Sequence, residues 1–303
     1  MKVDRPTVDV SILTFGNYSG LERTIDSVLA QRYPIRSIVL SDDGSGQPFP
    51  PQLIRRLEEE SSARVIVRNG EKNLGTVAHI NAVARLTDGD YLKGMAPGDA
   101  LSDCDALNAL VTFAEQADAP VVTSDSLVCS PDLGRKYYHF PGPRRGKWLR
   151  ASGWELFSVL AQGNIVSAVG TLVRRDFFQA LGGYDEGYRY LEDWPTWLRL
   201  AREGYGIPFL PRVTMLYATG GVSSENGNAF CAPRLRDDML HCFEKEILPY
   251  MDALTPKAKR AVFYSYERLK GASPEALAKT HFPMAAKEIV KREIKKLMLR
   301  KQN

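Results

Sequence analysis

Strand-like and helix-like patterns alternate through the first third of the chain. The β-rich run at 8–15 (VDVSILTF) predicts a strand, and apolar residues then recur at helical spacing from Leu21 to Leu29. Ser19 followed by Glu22 matches a capping box, so we expect Ser19 to cap this helix. The first unit is therefore a strand followed by an amphipathic helix.

The alternation continues as far as the run YLKGM. The pattern predicts a strand and turn at 37–46, strands at 64–68 and 91–95, and helices at 53–60 and 77–86. Strands separated by helices of about ten residues predict βαβ units. The expected fold class is α/β, with a Rossmann-like, mainly parallel sheet covered by helices on both faces.

The second half of the chain repeats this theme less regularly. Strands are predicted at 120–128 and 167–173, and helices at 175–183 and 194–204. The run at 208–217 contains Pro208 and Pro211, which cannot donate to a ladder, so we expect an edge strand there.

From about Arg234 onward the pattern becomes entirely helical. We therefore expect a main domain at 1–233 and a helical C-terminal extension at 234–303. The last helix, predicted at 285–300, has one apolar face and a basic opposite face.

The net charge of +4 is concentrated in this last helix. Residues 287–301 hold seven basic and two acidic side chains, a net +5, which leaves about −1 for the rest of the chain. A nucleic-acid partner is therefore not expected for the main domain. Two interpretations of the helix stay open: it packs on the main domain with its lysines solvated, or it lies on an anionic membrane surface.

Composition indicates an ordinary globular protein. Of 303 residues, 44% are hydrophobic and 25% are charged, and no apolar run approaches the ~18 residues that a membrane span needs. The four cysteines and four histidines lack metal-ligand spacing. Because a polar segment follows Met1, we expect a cytoplasmic protein, at most peripheral on the inner face of the membrane.

Asp42 and Asp43 end a predicted strand directly before Gly44. Two adjacent carboxylates need solvent, hydrogen-bond donors or a ligand. A plain Asx-turn with a positive φ at Gly44 is one interpretation, and a turn that binds the ribose or base of a nucleotide is the other. The chain has no GxGxxG and no GxxxxGK[ST] motif, so a Rossmann dehydrogenase or a P-loop NTPase is not expected.

Asp99 follows the strand predicted at 91–95. A nucleotide without a glycine-rich cradle would be held through a divalent ion, which prefers hard oxygen ligands such as this carboxylate. Asp99 is therefore the candidate ligand for Mn²⁺ or Mg²⁺. A helix N-cap explains the same residue equally well.

Glu192 and Asp193 precede Pro195, where the next helix is expected to begin. The positive end of the helix dipole favours a carboxylate there, which suits a simple cap and also suits a general base acting on a sugar hydroxyl. Trp194 is a candidate apolar wall for a sugar ring.

The segment at 130–160 is rich in proline and arginine and lacks clean periodicity. Its basic residues Arg144, Arg145 and Lys147 either meet a phosphate on the acceptor side or lie on a solvated surface loop.

Five blocks, in order along roughly 7–225, together resemble the family 2 inverting nucleotide-sugar glycosyltransferases of the GT-A fold. The blocks are VSILTFGNYSGLERTIDSVLAQRYPIRSIVLSDDGSG, NGEKNLGTVAHINAVARLTDGDYL, PGD, GTLVRRDFFQALGGYDE and LEDWPTWLRLAREG. The resemblance implies transfer with inversion from a nucleotide-diphosphate sugar, UDP-linked, to a glycan or lipid-linked acceptor in surface polysaccharide synthesis.

The resemblance also implies roles for single residues. It assigns Thr14, Phe15, Asp42, Asp43 and Gly44 to the nucleoside, Asn73 and Gly75 to the floor beneath it, Asp99 to the metal, Asp193 to the catalytic base, and Glu192 and Trp194 to the acceptor side.

The chain departs from the family pattern in three places. Ala96 and Gly98 stand where further acids are usual, TFGN replaces a TYN-like signature, and no QxxRW motif follows the ED pair. The last difference favours transfer of one sugar per binding event over processive synthesis. The first keeps a second interpretation open, a non-catalytic binding or scaffold partner with a reduced metal site.

Overall fold

The protein is built on one mixed β-sheet, as seen in a computed structural model that describes residues 5–220 and 233–300. The strands of the described residues are β1 Val8–Thr14, β2 Ile35–Asp42, β3 Arg64–Asn69, β4 Tyr91–Met95, β5 Ala100–Leu101, β6 Val121–Cys129, β7 Lys136–Phe140, β8 Thr171–Arg174 and β9 Phe209–Ala218. The expected α/β class is confirmed.

The order of strands places most of the strand ends on one side. The sheet runs β3-β2-β1-β4-β8-β6-β9-β5, and β7 pairs with β6 beyond the end of β8. Strands β1 to β4 are parallel to each other, β8 is antiparallel to β4 and to β6, and β9 is parallel to β6. The carboxyl ends of β1 to β4, β6 and β9 therefore share one side of the sheet, called here the carboxyl end, and β8 begins there.

Helices cover both faces of this sheet. They are α1 Leu21–Leu29, α2 Pro51–Glu60, α3 Thr76–Ala84, α4 Ala106–Ala117, α5 Gly142–Gly146, α6 Gly153–Leu160, α7 Arg175–Ala180, α8 Asp193–Arg202, α9 Pro233–Cys242, α10 Pro256–Leu269 and α11 Pro274–Arg300. A π-helical turn, Phe243–Ile247, and a 3₁₀ segment, Leu248–Ala253, join α9 to α10.

Two hydrophobic clusters lie on the two faces of the sheet. Successive residues Val121 and Val122 of β6 belong to opposite clusters, as a pleated strand requires. One cluster packs α1 and α4 on the sheet, and the other packs α6 and α8. Helices α9 and α10 join the second cluster, where the ring of Phe243 lies 5.4 Å from that of Trp194. The predicted division at residues 233 and 234 stays a prediction.

The start of α1 differs from the prediction. Gly20, with a φ of 79°, is the N-cap, and no side chain caps this helix, so the predicted capping role of Ser19 is wrong. A Cβ at Gly20 would lie 2.6 Å from the Cα of Gly98. Close contact between these two backbones therefore requires a glycine at this end of α1.

Later elements also differ from the expected bounds. The run at 167–173 begins with a 3₁₀ turn, so β8 starts only at Thr171. Strand β9 is not the edge strand of the sheet, because the two-residue strand β5 pairs with its residues Met215 and Leu216 and forms the edge. Pro211 lies outside this short pairing, which explains how β9 accommodates it.

The last helix, α11, begins at Pro274, earlier than expected, and contains a non-helical residue at His281. Side chains at 291 and 293–300, which carry much of the predicted apolar stripe and basic face, lie outside the described residues, as does Cys231. Among the helices that the structure describes, none combines the length and apolarity of a membrane span. Both interpretations of the last helix stay open.

Candidate active site

The residues expected to act together lie at the carboxyl end of the sheet. Thr14 and Asp42 are the last residues of β1 and β2, and Asp99 follows β4 by four positions. The loop before β8 begins on the same side and contains Asn164, which binds Asp193. The topology therefore brings the three predicted acid sites to one side of the sheet, the usual location of ligand sites in α/β proteins.

Asp42 is buried within its own turn. Its carboxylate accepts hydrogen bonds from the Thr14 hydroxyl (3.0 Å), from the Ser45 hydroxyl and from the Ser45 backbone N–H (2.6 Å). Burial alone would favour the protonated acid, but these hydrogen bonds prevail and lower the pKa of Asp42. The carboxylate of Asp42 therefore holds β1, β2 and the turn together as a hydrogen-bond acceptor.

Asp43 organises the loop at 73–75. Its carboxylate accepts hydrogen bonds from the Asn73 side chain (2.9 Å) and from the backbone N–H groups of Leu74 (3.0 Å) and Gly75 (2.9 Å). Only 2% of Asp43 is exposed. The structure thus gives Asp43 a clear role in ordering the predicted floor of the nucleoside site, and direct contact with a nucleoside stays a prediction.

Two of the predicted glycines are required by backbone contacts. Gly44 has a φ of 85°, and a Cβ there would lie 2.4 Å from the carbonyl carbon of Lys72. Gly75 has a φ of 88°, and a Cβ there would lie 2.7 Å from the backbone carbonyl oxygen of Arg189. These glycines allow the turn after β2, the loop at 73–75 and the loop before α8 to approach one another.

Phe15 lies beside this turn with 52% of its surface exposed. Its ring is accessible to a ligand at the end of β1, and its contact with the nucleoside stays a prediction. The neighbouring Tyr18 stacks on Phe49 with ring centroids 5.0 Å apart.

Asp193 lies in the first turn of α8 and is almost buried. Its carboxylate accepts hydrogen bonds from the Asn164 side chain (2.7 Å) and from the backbone N–H of Trp194 (2.6 Å). Burial raises the pKa of Asp193 despite these two donors. Burial, followed by the charge of Asp193, raises the pKa of Glu192 to about 8. A raised pKa makes Asp193 a stronger base than an exposed aspartate, which suits a general base.

Trp194 does not form the sugar wall that its position suggested. Only 2% of it is exposed, its Nε1 donates to the carbonyl oxygen of Leu160 (2.9 Å), and its ring packs edge-on against Phe243. The indole is anchored in the core because its N–H has a buried acceptor.

Asp99 does not have the surroundings of a metal ligand. It is 2% exposed, and its two oxygens accept hydrogen bonds from the backbone N–H groups of Ala218 (3.0 Å) and Ala96 (3.4 Å). Burial raises the pKa of Asp99 to about 7. No group of three His, Cys, Asp or Glu side chains that could hold a metal ion occurs in the described ranges 5–220 and 233–300. The residues therefore do not fit the predicted metal site, and the divalent ion stays a prediction.

Arg189, which the sequence interpretation did not single out, connects the loop at 73–75 to the loop before α8. Its guanidinium donates to the Asn73 side chain (2.6 Å), and its backbone carbonyl accepts from Val77 (3.2 Å). Asp238 of α9 then accepts hydrogen bonds from three consecutive backbone N–H groups, at 189–191, just before the ED pair. A C-terminal helix thus positions the loop that leads to Asp193.

Asn164 and His79 were also missed. Asn164 holds Asp193, and the buried His79 lies 2.7 Å from the Ser41 hydroxyl beneath the turn after β2. Burial lowers the pKa of His79 and favours its neutral form. No local motif marks either residue, because both act through partners 29 or more positions away.

Comparison with known proteins agrees with this geometry. Over 218 residues the chain is 28% identical to the succinoglycan biosynthesis protein ExoA of Rhizobium meliloti (strain 1021), an alignment that covers 66% of this chain and 59% of that protein. The chain thus spans about three fifths of the length of this relative.

Two solved structures share the fold. The mannosyltransferase PcManGT of Pyrobaculum calidifontis, solved in complex with GDP-Man and Mn²⁺, has a TM-score of 0.59 at 20% identity and covers 96% of this chain and 76% of its own. Residues 1–349 of S. aureus TarS, solved in complex with UDP-GlcNAc, have a TM-score of 0.61 at 13% identity and cover 90% of this chain and 76% of their own. The fold is accordingly the GT-A fold of glycosyltransferases with additional C-terminal helices.

The family model described as "Glycosyl transferase family 2" matches residues 9–181, which include the turn after β2, the loop at 73–75 and Asp99. This match covers more than half of the chain, and it agrees with the resemblance carried by the five sequence blocks. The chain therefore belongs to glycosyl transferase family 2.

Proposed function

We propose that the protein transfers one sugar from a nucleotide-diphosphate sugar, UDP-linked, to a glycan or lipid-linked acceptor in surface polysaccharide synthesis, with inversion at the anomeric carbon. Membership of glycosyl transferase family 2 and the likeness to a succinoglycan biosynthesis protein support this proposal. The single observation that carries it is the placement of Asp193. This carboxylate, with its raised pKa, lies in the first turn of α8 at the carboxyl end of the sheet.

In the proposed mechanism, Asp193 takes the proton of an acceptor hydroxyl. The oxygen then attacks the anomeric carbon opposite the nucleotide, the bond to the diphosphate oxygen breaks, and the nucleoside diphosphate leaves. Asn164 keeps the carboxylate in position through its 2.7 Å hydrogen bond. Asp43 and Arg189 keep the loop at 73–75 in place beneath the donor.

Incubation with a panel of UDP- and GDP-linked sugars, with and without a glycan acceptor, tests this function. We expect release of nucleoside diphosphate that depends on at least one donor and increases with acceptor. Parallel reactions with Mn²⁺, with Mg²⁺ and with EDTA test the predicted divalent ion separately. Absence of release from every donor under all three conditions would contradict the proposal.

A non-catalytic binding partner is the second candidate. The burial of Asp99, together with Ala96 and Gly98 at positions where acids are usual, favours it. A protein of this kind would bind a nucleoside diphosphate, seen as a rise in melting temperature, without turnover of any donor.

We also propose that α11 holds the protein on an anionic membrane surface, where a lipid-linked acceptor would lie. Two apolar residues of this helix, Phe282 and Val290, are 67% and 56% exposed, and the exposed Lys287 lies between them in sequence. Flotation with vesicles of anionic or neutral lipid tests this placement, and equal partitioning to both kinds of vesicle would reject it.

A further inference from the structure

A cavity of about 620 Å³ lies where β7 ends and α5 begins. Its lining is one continuous segment, 138–145, which includes the last residues of β7, a cis proline and the first turn of α5. Tyr138 is 58% exposed, and Arg144 and Arg145 are exposed as well. An open aromatic ring and two guanidinium groups therefore surround the same space.

A buried carboxylate fixes the histidine of this cavity. Asp125 of β6, whose side chain is 6% exposed, lies 2.6 Å from the Nδ1 of His139 and accepts a hydrogen bond from the backbone N–H of Gly142 (3.1 Å). The His139 side chain is half exposed. Because Asp125 engages Nδ1, the Nε2 of His139 is the ring nitrogen left for a ligand, and it has no hydrogen-bond partner among the residues that the structure describes.

The strand that holds the cavity's histidine, β6, also contacts the loop that holds the proposed base. Ser126, next to Asp125 in β6, forms a hydrogen bond of 2.7 Å with Ser167. Ser167 belongs to the same short loop as Asn164, which binds Asp193. The donor end lies farther away, since β6 is three strand positions from β1 in the sheet, roughly 14 Å at the usual strand spacing.

We infer that this cavity is the acceptor subsite and that it binds a phosphoryl group attached to the acceptor sugar. Arg144, Arg145 and the Nε2 of His139 supply donors suited to phosphate oxygens, since guanidinium groups bind phosphate through charge-assisted hydrogen bonds. Tyr138 supplies a flat face for the sugar ring. The inference rests on the proposed function, because it names the acceptor of that reaction.

Titration calorimetry with α-D-glucose 1-phosphate tests the inference on the full chain. We expect binding that exceeds that of glucose, and we expect Arg144→Ala combined with Arg145→Ala to weaken it tenfold or more. His139→Gln provides a second variant that leaves the charge of the arginines intact and is expected to weaken binding severalfold. Arg55→Ala combined with Arg64→Ala removes the same charge from exposed positions outside the cavity and should leave the affinity unchanged.

Three further results would overturn the inference. The first is binding of glucose 1-phosphate that is absent in the parent protein or equal in parent and variants. The second is a loss of UDP affinity in the arginine variant, which would assign the cavity to the donor. The third is an arginine variant that loses only its binding to phosphatidylglycerol vesicles, which would assign the cavity to a lipid headgroup. Failure of the proposed function is distinguishable from these, because it appears as no turnover of any sugar nucleotide while glucose 1-phosphate still binds through Arg144 and Arg145.

Discussion

At the β1–β2 end of the site, Asp42 and Asp43 are surrounded by hydrogen-bond donors from their own turn and from the loop at 73–75. At the β4–α8 end, Asp99 and Asp193 are also buried, and each carboxylate accepts from two donors. The pKa of Asp42 is lowered, whereas burial raises the pKa of both Asp99 and Asp193. At Asp42 the hydrogen-bond donors outweigh the cost of burial, whereas at Asp99 and Asp193 the cost of burial outweighs the effect of their donors.

This difference in pKa suggests different roles for the two ends of the site, one in binding the donor and one in the chemical step. A carboxylate with a lowered pKa, such as Asp42, accepts the hydrogen bonds of its turn across the whole physiological pH range. A buried carboxylate with a raised pKa, such as Asp193, binds a proton more readily, as a general base does during a reaction. We therefore expect the β1–β2 end to set donor affinity and the β4–α8 end to set turnover.

The largest effect is expected for Asp193→Asn. An amide cannot accept the acceptor's proton, so kcat should fall by about 10²- to 10⁴-fold while the affinity for nucleoside diphosphate stays unchanged. Initial rates of nucleoside diphosphate release and equilibrium binding measure the two quantities. Asp252→Asn, at a fully exposed side chain, is the control and should match the parent. Equal kcat in parent and Asp193→Asn would remove this residue from the role of base.

A smaller effect, on donor affinity rather than on kcat, is expected for Asp43→Ala. The change leaves three donors of the loop at 73–75 without an acceptor, and each loss costs about 1–3 kcal/mol when the donor stays buried. Nucleoside diphosphate affinity should fall about 10- to 100-fold, with a smaller change in kcat at saturating donor. A variant that binds donor like the parent but turns over slowly would contradict the division between the two ends.

The order of elements from β1 to β4 was predictable because each strand and helix carries its own periodicity within a short segment. Strand β5 has two residues, and β7 (KYYHF) does not alternate clearly between apolar and polar residues, so neither has a pattern to detect. The start of α1 was mispredicted because the contact that selects Gly20 comes from Gly98, far along the chain. Local patterns cannot report such contacts.

The sequence predicted which strand ends form the candidate site, but it did not predict the hydrogen-bond partners of the residues there. The sequence indicated that Asp43 and Asp193 belong to turns at one side of a sheet, but their partners Gly75 and Asn164 lie 32 and 29 positions away. Helical spacing could not tell whether Trp194 faces a ligand or the core. Its buried acceptor on α6, the carbonyl of Leu160, decides for the core.

The smallest expected effect concerns Asp99 and the pH dependence of stability. The pKa of Asp99 is about 7 in the folded chain and near its ordinary value of 3.8 when unfolded. Between these values the folded chain keeps a proton that the unfolded chain has lost, so the free energy of unfolding falls as pH rises. From about pH 5 to about pH 7 this loss amounts to about 2 kcal/mol for one carboxylate.

Asp99→Asn cannot titrate, so its free energy of unfolding should decline less over this interval than that of the parent. Urea unfolding of both proteins at about pH 5 and about pH 7 measures the difference, and the comparison cancels any pH-independent cost of the lost hydrogen bond. Glu192 and Asp193 shift in the same direction and leave a residual slope in both proteins. Parallel pH profiles would show that Asp99 is ionised in the folded chain, which would place it with Asp42 and return it to consideration as a metal ligand.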